Sequence, residues 1–167
     1  MNKQSYIILP KKTLELSGEF IAGFVEGEGC FSINYCTSGP LGNKSKHLRP
    51  MFSLGLNVRD KPLLEKIQKT IGCGRIYLDT GNRKRYDKTH DCYSYRIYRY
   101  PELKNILIPF FEKYQFHGSK KIAFEIFKEI MMMVSMKAHL TKDGEQRLLE
   151  LKTRLTTYDD GDNSEHE

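Results

Sequence analysis

Residues 20–30 read Phe-Ile-Ala-Gly-Phe-Val-Glu-Gly-Glu-Gly-Cys, an apolar helical pattern carrying glycines and ending on two carboxylates. A glycine inside a helix gives up about 1 kcal/mol relative to alanine, so Gly23 and Gly27 need a compensating role. Their spacing of four puts both on one helical face, where a second helix backbone can approach closely. The acids follow at the C-terminal end, against the negative end of the helix dipole, a placement that a cation relieves. Glu28 therefore reads as a metal ligand. The plainer alternative on these residues alone is a pair of solvated acids, with Gly29 as an ordinary C-cap.

Ser17 is placed to N-cap this first helix. Phe31, Ile33 and Tyr35 then alternate with Cys30, Ser32, Asn34 and Cys36, the period of a half-buried strand. After a Gly/Ser/Asn/Lys-rich loop over 37–47, residues 49–58 alternate in the same way, with Phe52, Leu54, Leu56 and Val58 on one face and Met51, Ser53, Gly55 and Asn57 on the other. Residues 61–70 have helical spacing and stop at Gly72 and Gly74. Strands are expected at 74–80 and 92–100, joined by a basic turn that includes Arg83, Lys84 and Arg85. A helix over 103–114 holds Pro109 inside its apolar pattern, which predicts a break or a new start there. Helices over 119–136 and 143–156 close the pattern, and the Met131-Met132-Met133 run reads as core packing.

The element order is α-β-β-α-β-β-α-α-α, an α+β fold in which four antiparallel strands put one face on helices and leave the other free. The 167 residues, 39% of them hydrophobic, suffice for one domain with a sizeable core. The reading is a single domain over 1–157 and an acidic, disordered tail over 158–167. That tail holds five acids and no Lys or Arg, leaving 27 basic against 16 acidic residues on the rest, a net +11. Such a charge points to a polyanionic partner. Cys30, Cys36, Cys73 and Cys92 lack the spacing of a zinc site and read as reduced thiols of an intracellular protein. The apolar runs are too short to span a bilayer, and no signal or transit sequence is visible. No membrane partner and no small-molecule substrate are expected.

The segment Ile21-Ala22-Gly23-Phe24-Val25-Glu26-Gly27-Glu28-Gly29 resembles the LAGLIDADG motif of homing endonucleases. Val58-Arg59-Asp60-Lys61-Pro62-Leu63-Leu64, Ile71-Gly72-Cys73-Gly74-Arg75-Ile76, Gly118-Ser119-Lys120-Lys121-Ile122-Ala123-Phe124 and Lys137 to Gly144 follow in the order and spacing of such a domain, so the resemblance covers roughly residues 15 to 155. It implies an αββαββα core with a four-stranded antiparallel DNA-binding sheet and extra C-terminal helices. A lone motif implies a homodimer whose two motif helices pack together through Ala22, Gly23 and Gly27, with a pseudo-palindromic double-stranded DNA target.

By the same resemblance Glu28, helped by the Gly27 carbonyl, binds the metal, and Asp60 and Lys120 are the accompanying catalytic residues. From the residues alone, Asp60 is equally an N-cap for the following helix, and Lys120 a solvated surface lysine. Hard oxygen ligands suit Mg²⁺, with Mn²⁺ substituting and Ca²⁺ binding without efficient turnover. His117 and His139 read as structural.

Strand parity selects the residues facing the DNA: Ser32, Asn34, Cys36, Arg49, Met51, Ser53, Asn57, Arg75, Tyr77, Asp79, Ser94 and Arg96. Lys44, Lys46, Arg83, Lys84 and Arg85 suit phosphates. The implied activity is Mg²⁺-dependent, site-specific double-strand cleavage that promotes homing of a host intron. An intron-RNA-binding maturase on the same fold is the alternative. Synthesis inside a chloroplast or mitochondrion fits the missing transit peptide, with an archaeal or bacterial source left open.

Overall fold

The computed structural model describes residues 16–38, 45–79 and 91–159. Helix α1 (Gly18–Glu28) starts where expected, its first turn capped by the Ser17 hydroxyl, which accepts from the Phe20 N–H at 3.1 Å. It runs directly into β1 (Gly29–Ser38), which pairs with β2 (Ser45–Asn57). A single 3₁₀ turn, Val58–Asp60, precedes α2 (Lys61–Ile71). Val58, expected in the strand, sits in that turn and is 42% exposed. Gly72 ends α2 at φ 89°, a left-handed conformation that glycine adopts without a Cβ penalty.

Strands β3 (Arg75–Asp79) and β4 (Cys92–Ile97) complete one four-stranded antiparallel sheet in the order β1-β2-β4-β3. The chain then turns helical at Tyr100, inside the range expected for the fourth strand. Pro101 accounts for this, since it lacks an N–H for a ladder and suits a first helical turn. Helical residues continue through α3 (Tyr100–Glu102), a wide turn over Leu103–Leu107 and α4 (Ile108–Lys113). In place of a break before Pro109 the helix widens, and the Ile108 N–H reaches the Leu103 carbonyl five residues back. Helices α5 (Lys120–Ser135) and α6 (Lys142–Asp159) follow.

The inner sheet face and the helices share one core. Phe31 lies at its centre, with ring centroids of Phe52, Phe111, Phe116, Phe124 and Phe127 all 5.2–6.2 Å away. These tilted and edge-on contacts tie β1 and β2 to α4 and α5. Leu148, Leu151 and Leu155 of α6 are buried, and α6 packs along β1, an edge strand of the sheet. Met131 and Met133 join the core, while Met132 is 57% exposed, so the methionine run packs on two of its three residues. No described helix is long and apolar enough to cross a membrane.

Candidate nucleic-acid interface and active site

Helix α1 has two apolar faces. Ile21, Ala22 and Val25 are buried in the chain's own core. On the opposite side Gly23 and Gly27 are exposed, and a Cβ built on either would meet none of the described residues within 4 Å. Phe20, 46% exposed, stacks on Phe24 beside them. A helix apolar on both sides is suited to burial on both. Gly23 and Gly27 thus lie on the outward face, but Ala22 does not: its position one residue before Gly23 rotates it about 100°, into the chain's own core.

At the end of α1 the Gly29 N–H bonds the Val25 carbonyl. The Gly27 carbonyl therefore belongs to the last turn, whose carbonyls a helix leaves without intrahelical partners. Glu28 is exposed beside it. Gly29 is no ordinary cap: its backbone is extended, at φ −84° and ψ 148°, and a Cβ there would come within 2.4 Å of Val25 Cγ1. The absence of a side chain lets helix pass straight into strand.

Lys120 reaches this corner. Its side chain is buried, and Nζ donates to the Gly29 carbonyl at 2.5 Å, next to Glu28 in sequence. The solvated-surface alternative for Lys120 is thereby excluded. Asp60 approaches from the sheet. Gly29 pairs with Leu54, so β1 begins beside the last residues of β2, and Asp60 follows three residues after β2 ends at Asn57. Its carboxylate makes no capping hydrogen bond; Asn57 instead accepts from the Arg59 N–H, and Asp60 lies 3.6 Å from Arg59. Lys120 and Glu28 thus share one corner, and Asp60 follows β2 at the same end of the sheet. Among the described residues of a single chain, no group of three His, Cys, Asp or Glu could hold a metal ion.

Glu26, the other motif acid, is a residue that sequence reasoning left unassigned. Its carboxylate accepts from the main-chain N–H groups of His117 and Gly118 at 2.8–3.0 Å, in the loop that leads to Lys120. The signal was present in the helical period, since Glu26 lies four residues after the buried Ala22 and so falls on that side of α1.

The register confirms one shared outer face. Cys30, Ser53, Arg96 and Arg75 align across all four strands; Ser32 aligns with Met51, Asn34 with Arg49, and Gly55 with Ser94 and Tyr77. Asn57, Cys92 and Asp79 form a further row, at the end of the sheet where Glu28 lies. Cys36 aligns with His47 in the backbone, while its side chain, like Lys44, Arg83, Lys84 and Arg85 as whole residues, lies outside the described part.

The face is not a field of independent side chains. Arg96 Nη2 donates to both Asp79 oxygens, at 2.7 and 2.6 Å, and the guanidinium lies over the Tyr77 ring. The Arg49 guanidinium lies 4.4 Å from the ring centre of Tyr98, whose hydroxyl hydrogen-bonds that of Tyr77 at 3.0 Å. This hydrogen bond lowers the Tyr98 pKa, as do Arg75, Arg49 and Arg99 nearby, and it raises that of Tyr77. Tyr98, not selected as a DNA-facing residue, continues the parity of Ser94 and Arg96.

Residues 21–131 match the family model described as LAGLIDADG endonuclease. A Neurospora crassa protein named probable intron-encoded endonuclease 2 is 30% identical over 138 residues, covering 83% of this chain and 27% of its own length. The chain thus spans about a quarter of that curated relative, and the relative is fungal, neither archaeal nor bacterial. A crystal structure of a homing endonuclease, I-TnaI, superposes with a TM-score of 0.72 at 28% identity, covering 86% of this chain and 90% of that one. The I-LtrWI LAGLIDADG homing endonuclease bound to target DNA gives 0.72 at 30% identity, over 94% of this chain and 48% of that one.

Proposed function

Because the chain belongs to the LAGLIDADG endonuclease family, we propose that it is a homing endonuclease that acts as a homodimer. Two sheets grip a long, pseudo-palindromic DNA target, and a metal-dependent double-strand break at its centre promotes homing of the host intron. The protein is made in the organelle that carries the intron. The observation that carries this reading is the second apolar face of α1, with Gly23 and Gly27 open to close approach and Glu28 at its foot. Two such helices packed together would bring two Glu28 carboxylates to one place.

Glu28 and the Gly27 carbonyl are hard oxygen donors, so the residues present fit Mg²⁺ or Mn²⁺. Completing the site then falls to the second chain and the DNA phosphate, in keeping with the incomplete donor set of one chain. A divalent ion held there would lower the pKa of a bound water and offset charge on the leaving 3′-oxygen. Lys120, held at the Gly29 carbonyl, supplies positive charge next to the scissile phosphate. Asp60 orders water at the sheet end. Ser32, Asn34, Arg49, Met51, Ser53, Asn57, Arg75, Tyr77 and Ser94 face the major groove. The RNA-binding alternative has no observation of its own in its favour, whereas the superposed I-LtrWI homing endonuclease is bound to target DNA.

The test is selection of a cleavable sequence from randomised duplexes with Mg²⁺, followed by sedimentation of the complex. Cut sites with two-fold symmetric preference and two chains per duplex are expected. Recovery of one chain per duplex, or of no cut sequence, would reject the proposal.

A further inference from the structure

Arg96 and Asp79 stand on the outer sheet face but meet each other, and what they form has no net charge. Arg96 belongs to β4, which has β2 on one side and β3 on the other, so it occupies the interior of the face and not its rim. Its row is Ser53, Arg96 and Arg75, whereas Asp79 is aligned with Cys92, four residues before Arg96 in β4. The Arg96 side chain therefore lies along the sheet, past the Tyr77–Ser94 row. Its guanidinium carbon is 5.4 Å from the Tyr77 ring centre, and Ser94 is left 6% exposed with a hydroxyl that has no partner among the described residues. Both members remain 35% exposed, and Asp79 engages only Nη2.

We propose that Asp79 is a specificity-determining residue acting through Arg96: it withholds the guanidinium from the phosphate backbone, so that Arg96 is given over to a base edge with two acceptors, that of guanine. This inference rests on the reading of the sheet as the DNA-binding face.

An unpaired arginine is attracted to any phosphate and releases counterions on every sequence alike. An arginine already paired with a carboxylate gains little from a phosphate, because the pair carries no net charge and its carboxylate repels the phosphate. Guanine is different, since O6 and N7 take two N–H donors in one plane. Nε and Nη1 of Arg96 carry no partner among the described residues, and Nη2 has two hydrogens, so either of the two free nitrogens together with Nη2 can present such a two-donor edge. The carboxylate also repels phosphate from this part of the face, a penalty falling on wrong registers of the DNA. Asp79 is thereby reassigned: it was read from parity as a base contact, and the structure gives both of its oxygens to Arg96.

The experiment uses the full chain and randomised DNA duplexes in Ca²⁺, so that binding is read without cleavage. Wild type, Asp79→Asn and the Arg96→Ala/Asp79→Ala double variant are each selected and then titrated at several salt concentrations. Asp79→Asn should bind unselected DNA more tightly, steepen the salt slope by about one for each Arg96 freed, and cut discrimination at one guanine position per half-site by roughly 5- to 150-fold. The double variant should lose that guanine preference while keeping the wild-type salt slope. A double variant that keeps the guanine preference would overturn the inference. So would an Asp79→Asn variant that changes preference at a different base pair with an unaltered salt slope. If wild type itself enriches no sequence, the failure belongs to the reading of the sheet as the DNA face. Thermal melts of each variant separate loss of fold from loss of preference.

Discussion

Glu26 holds Gly118: both carboxylate oxygens accept its N–H, at 2.9 and 3.0 Å, and a Cβ on Gly118 would come within 2.8 Å of Oε2. Two residues on, Lys120 turns inward to the Gly29 carbonyl. The first motif acid thus ties the loop that aims Lys120 to the helix that carries Glu28. Glu26→Ala should destabilise the fold by about 1–3 kcal/mol, the usual cost of losing hydrogen bonds to a charged group. It should also slow cleavage more than it weakens DNA binding. Urea unfolding and single-turnover kinetics would check both, and unchanged turnover would remove the loop from any account of Lys120.

Replacing Glu28 by Gln removes the formal charge that a divalent ion requires and keeps the shape of the side chain. Glu28 is exposed at the foot of α1 and is not itself a member of the outer strand rows. The expected outcome is loss of cleavage by at least about a hundredfold, with target binding in Ca²⁺ retained. Gel shifts and plasmid nicking distinguish these; an active Glu28→Gln variant would end its assignment as the metal ligand.

Gly27→Leu tests the outward face of α1 directly. Since no described residue lies within 4 Å of a Cβ at Gly27, a side chain can start there without a clash, and the folded chain should lose little stability. A partner helix packed on that glycine has no such room, so sedimentation should report dissociation and cleavage should fall with it. A stable dimer in Gly27→Leu would move the interface elsewhere.

The parity of the strands was legible because one side of each is paved with Phe, Ile, Leu or Tyr, and a slip of one residue would have buried Arg96 or Asn34 in place of Tyr95 or Ile33. The Ser17 cap and the Gly72 stop depend on near neighbours, and they too could be read locally. What could not be read is long-range and side-chain-specific. Glu26 meets His117 across 91 positions of sequence, and Lys120 is buried only because α5 is docked on the α1–β1 corner. The orientation of Ala22 was missed for another reason: a small residue in a motif suggests close packing without saying against which neighbour. Pro109 marks an irregularity, but whether a helix breaks or widens there depends on the packing of Leu103 and Leu107, both fully buried.

Alkaline pH should destabilise this protein through one pair, the buried Tyr95 and the half-buried Cys73. Tyr95 is fully buried, its hydroxyl donates to the Cys73 carbonyl at 2.8 Å, and burial pushes the phenol pKa strongly upward from 10.0. Burial, with a smaller push from Glu102, raises the Cys73 thiol from 9.0 to about 11. Both groups are neutral when protonated, so the folded chain holds protons that the unfolded chain has already released. Stability is therefore fully present below the unfolded pKa values and falls as pH rises from about 9. The Cys73 contribution is spent by about pH 11, near its folded pKa, whereas that of Tyr95 continues to fall beyond it. Melting temperatures should be level near neutrality and decline above about pH 9. Cys73→Ala should flatten the first part of that decline, and Tyr95→Phe should remove the later part at a cost of about 0.5–1.5 kcal/mol for the lost hydrogen bond. A Tyr95→Phe variant with the wild-type alkaline limb would show that the proton uptake resides in other groups.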